Sequence, residues 1–92
     1  MALIFEWDVK KARANVRKHR VPFEEAATVF GDALSITIPD PLHPKEEERY
    51  VIIGRSHRER TLVVVHTERG ERIRIISART ASRGERIQYE EA

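Results

Sequence analysis

The order of apolar and polar residues in the first twenty positions predicts a short strand followed by a helix. Residues 4–7 are apolar and aromatic apart from one glutamate, as in a strand. Asp8 is a good N-cap for the segment that follows. Apolar residues then recur at helical spacing within residues 9–19, and basic residues occupy the opposite side. The first stripe contains Val9, Ala12, Val16 and His19, and the basic side contains Lys10, Arg13, Arg17 and Lys18.

A second helix is predicted directly after the first. The sequence Arg20-Val21-Pro22 interrupts the first helix, and Pro22 can open the next one. Four apolar residues at positions i, i+3, i+4 and i+7 then form a strong apolar face, and these are Phe23, Ala26, Ala27 and Phe30. Gly31 is placed to end this helix.

The remaining apolar segments predict four more strands, which cover residues 34–38, 49–55, 61–67 and 72–78. Residues 34–38 alternate between apolar and polar, as in a strand with one wet face. An acidic loop with three prolines, residues 39–48, cannot continue that strand. Residues 61–67 are apolar on both faces until His66, so this strand is expected at the centre of the sheet. A glycine-containing hairpin turn, residues 68–71, leads to the last strand.

Ser82 and Glu85 match the capping box that opens a helix, so a short C-terminal helix is predicted. The predicted order is β-α-α-β-β-β-β-α, which indicates the α+β class. The last four strands can form an antiparallel sheet without crossovers, and the two N-terminal helices pack on one face of it. The 92 residues form one domain, residues 1–92.

Composition narrows the classes of function. The absence of cysteine excludes disulfides, thiolate metal sites and cysteine catalysis. No signal peptide or membrane span is predicted, so a cytoplasmic protein is expected. The histidines are scattered and no carboxylate-rich cluster lies on a regular element, so neither a metal site nor a cofactor is expected.

The net charge is only +2, but the basic residues are concentrated in patches. Residues 10–20 contain six Lys or Arg and no acid, and basic character returns after residue 49. Separated patches of this kind suggest a polyanion or an acidic partner, although a well-solvated surface explains them equally well.

The last predicted strand and helix carry most of the candidate chemistry. Cleavage of RNA by its own 2′-hydroxyl needs a base, an acid and cations that stabilise the charged phosphorane. The guanidinium fork suits phosphate oxygens, and the candidates are Arg72, Arg74, Arg79, Arg83 and Arg86. Arg79 is the strongest of them, because it lies where the strand turns into the helix. If alternation holds, it shares the side of Ile73, Ile75 and Ser77 and is partly buried.

Each candidate also has a structural interpretation. Arg72 and Arg74 could simply solvate the exposed face of a strand. Glu85 could act as a general base, but its capping-box role is directly supported and would weaken it as a base. His66 could exchange protons, but a histidine among core valines is more often a packed residue.

Four further residues could serve either RNA binding or the structure of the protein. Lys18 and His19 could contact RNA or complement the dipole at the end of the first helix. Tyr89 could donate to a phosphate or pack on the sheet. Trp7 could stack on a base, although a core position is favoured because its neighbours also have core character.

Several segments, taken together, resemble the BrnT family, the toxins of BrnT/BrnA type II toxin–antitoxin modules. The segments are FEWDVKKARANVRKH from Phe5, VPFEEAATVFGD from Val21, IGRS from Ile53, VVVHTERG from Val63 and RIISARTASRGERIQYEEA from Arg74. The resemblance extends from Ile4 to Glu91, and the order and spacing of the segments make it specific. Many relatives have glycine after the Lys18-His19 pair, whereas this chain has Arg20.

This resemblance implies a RelE-like fold and a metal-independent ribonuclease that blocks translation. It also implies a BrnA-type antitoxin as partner, a complex with two copies of each protein, and operator DNA binding through the antitoxin. The implied site residues are Arg55, Arg79, Ser82, Glu85 and Arg86, with Lys18 and His19 as weaker candidates. RNA, free or bound to the ribosome, is the implied substrate.

A second function from a different class stays open. The chain could be a non-catalytic subunit of an antitoxin-containing DNA-binding repressor, in which its arginines only contact phosphates or an acidic partner. Both functions predict that nucleic-acid binding weakens with salt, so only a cleavage assay separates them.

Overall fold

Five strands and three α-helices form the part of the chain that the computed structural model describes, residues 3–40 and 48–91. The helices are α1 (Val9–His19), α2 (Phe23–Thr28) and α3 (Arg83–Glu90). The strands are β1 (Ile4–Glu6), β2 (Ile36–Pro39), β3 (Arg49–Arg55), β4 (Thr61–Arg69) and β5 (Arg72–Thr80). A 3-10 turn, Val29–Gly31, continues α2 where the sequence pattern had predicted a longer α-helix.

The five strands form one mixed sheet in the order β1-β5-β4-β3-β2. Strands β2 to β5 are an antiparallel meander, and β4 is central, as its apolar residues predicted. The prediction of a purely antiparallel sheet is wrong, because β1 pairs in parallel with β5, with Ile4 opposite Arg72. A parallel pair needs a long crossover connection. Here that connection includes both N-terminal helices and the other strands. The assignment of this fold to the RelE-like class stays a prediction.

The hydrophobic core lies between the two N-terminal helices and one face of the sheet. Val21, Phe23, Ala26 and Val29 pack against side chains of β3, β4 and β5, which are Ile52, Leu62, Val64, Ile75 and Ala78. The Trp7 ring meets the Phe23 ring edge-on, with the centroids 5.9 Å apart. Trp7 therefore belongs to the core, as the sequence favoured.

Helix α1 faces the sheet with a side that only partly coincides with its predicted apolar stripe, because Ala12 packs against the core and His19 is half-buried. Val9 and Val16 are 59% and 40% exposed, whereas Asn15 is buried. The Asn15 side chain donates to the carbonyls of Val21 and Ala78, at 2.9 and 2.8 Å, and accepts from the Ala78 amide at 3.1 Å. Because its amide group is fully bonded to backbone, burial of Asn15 is tolerated. It fixes α1 beneath the end of β5.

Helix α1 ends at a residue with a left-handed backbone. Arg20 has φ 60° and ψ 30°, and its amide bonds to the Val16 carbonyl at 2.9 Å. This C-cap geometry favours glycine, and a residue with a side chain adopts it at a cost of about 1 kcal/mol. The helix therefore ends as a glycine-capped helix would, with an arginine in the glycine position.

A partly buried ion pair joins the two N-terminal helices to the turn between β3 and β4. Glu25 on α2 is almost fully buried and accepts from Arg60 Nε at 2.9 Å and from Ser56 Oγ at 2.7 Å. Arg60 also donates through Nη2 to the Arg20 carbonyl at 3.1 Å. The end of α1 is thus held against this turn.

Strand β2 is shifted along the chain relative to its prediction. Leu34 lies in a turn and is 73% exposed, whereas Pro39, predicted as a loop residue, closes the strand. A proline is tolerated there because β2 is the edge strand. The rest of the predicted acidic loop, residues 41–47, lies outside the described residues.

The surroundings of Gly54 and Gly84 predict different effects of a Gly→Ala substitution on the free energy of unfolding. A Cβ atom at Gly54 would lie 2.8 Å from Val29 Cγ1 and 3.0 Å from Ser35 Cβ. A Cβ atom at Gly84 would have no neighbouring atom within 4 Å. We expect Gly54→Ala to lower the free energy of unfolding by about 1–3 kcal/mol through overpacking. Gly84→Ala should be neutral or raise it by up to about 1 kcal/mol. Urea unfolding of both variants tests this, and equal stability would contradict the packing at Gly54.

Candidate active site

A β-bulge in the last two strands decides which face of the sheet carries Arg79. Val65 pairs with Ser77 but His66 pairs with Ile75, so β5 has one extra residue, Ile76. An extra residue reverses the alternation beyond it. Arg79 therefore points with Ser77 to the face opposite Ile73 and Ile75. The expectation that Arg79 shares the side of those two isoleucines is wrong, and its side chain is 45% exposed.

Arg79 is held by Glu85 in a bidentate ion pair. Arg79 Nη1 donates to Glu85 Oε1 at 2.7 Å, and Nη2 donates to Oε2 at 2.8 Å. Glu85 Oε1 also accepts from the Ser82 amide at 2.8 Å, and Ser82 Oγ accepts from the Glu85 amide at 3.2 Å. The predicted capping box is therefore confirmed, and the same carboxylate fixes the arginine.

These contacts make Glu85 a poor base. The ion pair with Arg79, together with the bonds from Ser82, lowers the pKa of Glu85 to about 2, and the pKa of Arg79 is raised by the same pair. A carboxylate this acidic stays ionised near neutral pH and has little tendency to accept a proton. The geometry favours Glu85 as the residue that positions Arg79.

Arg79 and Glu85 border a hollow of about 460 Å³ on the sheet face that the N-terminal helices leave uncovered. The floor of this Arg79 hollow is aliphatic and consists of Ile38, Val51, Ile53, Val63, Val65 and Ile76. Asp40, Arg49, Ser77 and Gln88 supply its other polar groups. The hollow thus places a guanidinium beside an apolar surface, which can hold a phosphate and the nucleoside attached to it.

Arg55 and Arg86 lie on the other flank of α3. They line a hollow of about 290 Å³ together with Arg60, Thr61, Thr80 and two carboxylates, Glu59 and Glu90. Glu85 and Gln88 project from α3 toward the Arg79 hollow, whereas Arg86 and Glu90 project toward this Arg55 hollow. Arg55 and Arg86 therefore do not line the Arg79 hollow.

Tyr89 anchors α3 between the two hollows. Its hydroxyl donates to Asp32 Oδ2 at 2.6 Å, and the same oxygen accepts from the Arg55 amide at 2.8 Å. The bond to Asp32 raises the pKa of Tyr89, so the phenol keeps its proton. The sequence singled out Tyr89 but missed Asp32, which carried no signal beyond following the glycine that ends the 3-10 turn.

His66 lies away from both hollows, on the face of the sheet that the helices cover. It is 1% exposed, and its ring packs against those of Phe30 and Tyr50, with centroids 4.8 and 5.8 Å away. Burial lowers the pKa of His66, so its neutral form is favoured. The structure supports the packed interpretation and separates His66 from Arg79.

Arg72 and Arg74 lie at the opposite end of β5 from Arg79. Glu6 on β1 pairs with both, at 3.6 Å from Arg72 Nη1 and 3.2 Å from Arg74 Nη1. Five residues of strand place Arg74 roughly 17 Å from Arg79 along the chain direction. Both arginines are thus used at the β1–β5 edge and do not join the Arg79 hollow.

The remaining predicted residues surround the same end of the sheet as Arg79. Arg83 is exposed in the first turn of α3, Lys18 is exposed at the end of α1, and His19 beside it is half-buried.

In residues 3–40 and 48–91 no three His, Cys, Asp or Glu side chains cluster as metal ligands. No helix in those ranges is long and apolar enough to cross a membrane.

The fold and the Arg79 hollow together define a small α+β protein whose arginine borders an open aliphatic surface. A model of the family described as "Ribonuclease toxin, BrnT, of type II toxin-antitoxin system" matches residues 7–85. The chain therefore belongs to the BrnT family of ribonuclease toxins.

The structural comparison agrees with this assignment. The crystal structure of the Brucella abortus ribonuclease toxin BrnT has the same fold, with a TM-score of 0.70 and 21% sequence identity. The similarity covers 89% of this chain and 100% of that one. No curated protein sequence matches the chain.

The ionised state of Glu85 predicts how stability responds to pH. The folded carboxylate has a pKa of about 2 against 4.5 for a free one, so its stabilising effect is present above pH 4.5 and is lost as pH falls toward 2. We expect Glu85→Gln to be less stable than the unmodified chain by about 1–2 kcal/mol at neutral pH. Denaturant unfolding at several pH values should show this difference shrinking in acid.

Glu90→Gln is the matched control, because it removes an exposed carboxylate from the same helix. A difference for Glu85→Gln that persists unchanged at low pH would show that the Glu85 carboxylate is not the source of the stabilisation.

Proposed function

We propose that this chain is a metal-independent endoribonuclease that cuts RNA by attack of the 2′-hydroxyl on the adjacent phosphorus. The observation that carries the proposal is the Arg79 guanidinium, held by Glu85 at the edge of a hollow with an aliphatic floor. Membership of a ribonuclease toxin family gives the reaction class.

In the proposed reaction Arg79 binds the scissile phosphate. Glu85 takes two of the five N–H donors of the guanidinium, so others are left for phosphate oxygens. As the 2′-oxygen bonds to phosphorus and the 5′-oxygen leaves, negative charge grows on the nonbridging oxygens, and Arg79 stabilises it. The products are a 2′,3′-cyclic phosphate and a 5′-hydroxyl. The 2′-hydroxyl loses its proton to water, and the leaving oxygen takes one from water.

Charge stabilisation rather than a dedicated base is the main contribution in this proposal. Of the two residues first considered as bases, Glu85 is held in an ion pair and His66 is buried on the other face. Glu85 acts as a positioning residue for Arg79, and Arg55 and Arg86 contact phosphates on the other flank of α3.

The cellular role follows from the family. We propose that cleavage of messenger RNA, free or on the ribosome, blocks translation in the cytoplasm. A BrnA-type antitoxin neutralises the chain in a complex with two copies of each protein, and operator DNA is bound only through the antitoxin. The RelE-like class of the fold belongs to the same proposal. A short gene for a small DNA-binding protein beside the gene for this chain would support the pairing.

The alternative, a non-catalytic subunit of an antitoxin-containing repressor, has one observation in its favour. Among the described residues, no histidine lines the Arg79 hollow. A purified chain that binds its antitoxin tightly but cuts neither naked nor ribosome-bound RNA would support that function and overturn the ribonuclease.

Replacing Arg79 tests the assigned site. We expect Arg79→Ala to lower the rate of RNA cleavage by about 10²–10³-fold, because the charge of the transition state loses its main partner. Arg79→Lys should recover little of the activity, since an ammonium cannot reproduce the fork that Glu85 holds. Cleavage is measured in the presence of a chelator, and the new ends are analysed for cyclic phosphate.

Arg72→Ala is the control, because it removes an exposed arginine from the opposite end of the same strand. It should retain normal cleavage. Full activity and full toxicity in a folded Arg79→Ala protein would refute the site.

The role of Glu85 is tested separately by the pH dependence of the rate. If Glu85 only positions Arg79, Glu85→Gln should lower kcat/KM by about 10–100-fold through misplacement of the guanidinium. The pH–rate profile between about pH 5 and pH 9 should keep its shape, since a group with a pKa of about 2 does not titrate there. Loss of an acid limb in the variant would instead identify Glu85 as the base.

A further inference from the structure

Arg20 combines a strained backbone with an exposed charge. It is one of two residues other than glycine with positive φ in the described parts of the chain, and the other is Glu59. Glycine would close α1 with the same backbone bond to Val16 and without the steric cost. The Arg20 side chain has no ion-pair partner within residues 3–40 and 48–91. Strain retained at one residue points to a use for its side chain.

Two further cations adjoin Arg20 on the last turn of α1. Arg17 and Lys18 are exposed, and the described residues provide no carboxylate within ion-pair distance of either one. Cations at a helix C-terminus are stabilised by the helix dipole, which accounts for Arg17 and Lys18. The dipole does not account for an arginine in the left-handed cap, because glycine there would remove the strain.

The last turn of α1 adjoins the Arg55 hollow. The Arg20 carbonyl accepts from Arg60, and Arg60 lines that hollow with Arg55 and Arg86. Glu59 and Glu90 line it as well, so the hollow by itself carries little net charge. Arg17, Lys18 and Arg20 therefore supply much of the positive charge at this end of the sheet.

The same end of the sheet carries Arg79. Asn15 bonds to the backbone of Ala78, the residue before Arg79, so α1 runs beneath the strand end that presents this arginine. The last turn of α1, the Arg55 hollow and the Arg79 hollow are consequently neighbours around one end of the sheet. A strand of RNA held at Arg79 can continue toward α1.

We infer that Arg17, Lys18 and Arg20 form a second phosphate-binding surface, which contacts the backbone of the RNA substrate beyond the cleaved linkage. The inference rests on the proposed ribonuclease function. The three side chains are exposed cations on the last turn of α1 and its C-cap, an arrangement that suits phosphates of the RNA backbone. Substrate affinity thus depends on RNA that extends past the Arg79 hollow.

Arg20→Gly separates the two properties of this residue. The probe is a fully 2′-O-methylated RNA oligonucleotide, which has no free 2′-hydroxyl to attack and therefore stays intact. Fluorescence anisotropy at several salt concentrations gives its affinity for each protein. We expect Arg20→Gly to bind severalfold more weakly, with a salt slope smaller by about 0.7 for the lost phosphate contact. Its melting temperature should rise by about 4–8 °C as the backbone strain is removed.

Lys18→Gln provides a second variant with normal cap geometry, and Lys10→Gln is the control with the same charge change at the first turn of α1. Lys18→Gln should reduce the affinity and the slope, and Lys10→Gln should change neither. Unchanged RNA binding in both Arg20→Gly and Lys18→Gln would overturn the inference. An equal loss in Lys10→Gln would also overturn it, because the effect would then be one of net charge.

Two further results separate this inference from its alternatives. Normal RNA binding with weakened binding of the antitoxin would assign the surface to the protein partner and reject the inference. Cleavage of unmodified RNA by the unmodified chain tests the proposed function by itself. Active cleavage with no effect of the α1 variants rejects only the second surface. No cleavage rejects the ribonuclease, and reduced RNA affinity of the α1 variants would then show an RNA-binding surface without a substrate role.

Discussion

A single extra residue in β5 determines the arrangement of the site. Without the bulge at Ile76, alternation from Ile73 and Ile75 would turn the Arg79 side chain toward the helices, where an unpaired guanidinium is costly to bury. With the bulge, the strand supplies isoleucines to the core at one end and an arginine to the open face at the other. One strand thus serves both the hydrophobic core and the Arg79 hollow.

The capping box of α3 and the orientation of Arg79 depend on the same carboxylate. Glu85 satisfies the Ser82 amide at the start of the helix and fixes both terminal nitrogens of Arg79. Tyr89 then attaches the helix to Asp32 near its other end. None of the described side chains of α3 is buried, so polar contacts rather than apolar packing hold this helix in place.

Much of the fold could be predicted because its signals are local. The central position of β4 follows from its apolar residues on both faces, and the start of α3 follows from Ser82 and Glu85. The remaining features depend on contacts that are distant in sequence. Asn15 can be buried only because the backbone near Ala78 receives its amide, and the bulge at Ile76 carries no glycine or proline to mark it. The division of the arginines between two hollows follows from the bulge, which orients Arg79, and from the position of α3 between the hollows.

The pairing of β1 with β5 joins the beginning of the described chain to its last strand. Closing so long a loop is entropically unfavourable, and contacts of this kind form slowly. Strand β1 has no strand to pair with until residues 72–74 have formed, and Arg79 lies only a few residues further along β5. The sheet edge and the candidate catalytic arginine therefore depend on the same strand, and neither is in place before β5 has joined the sheet.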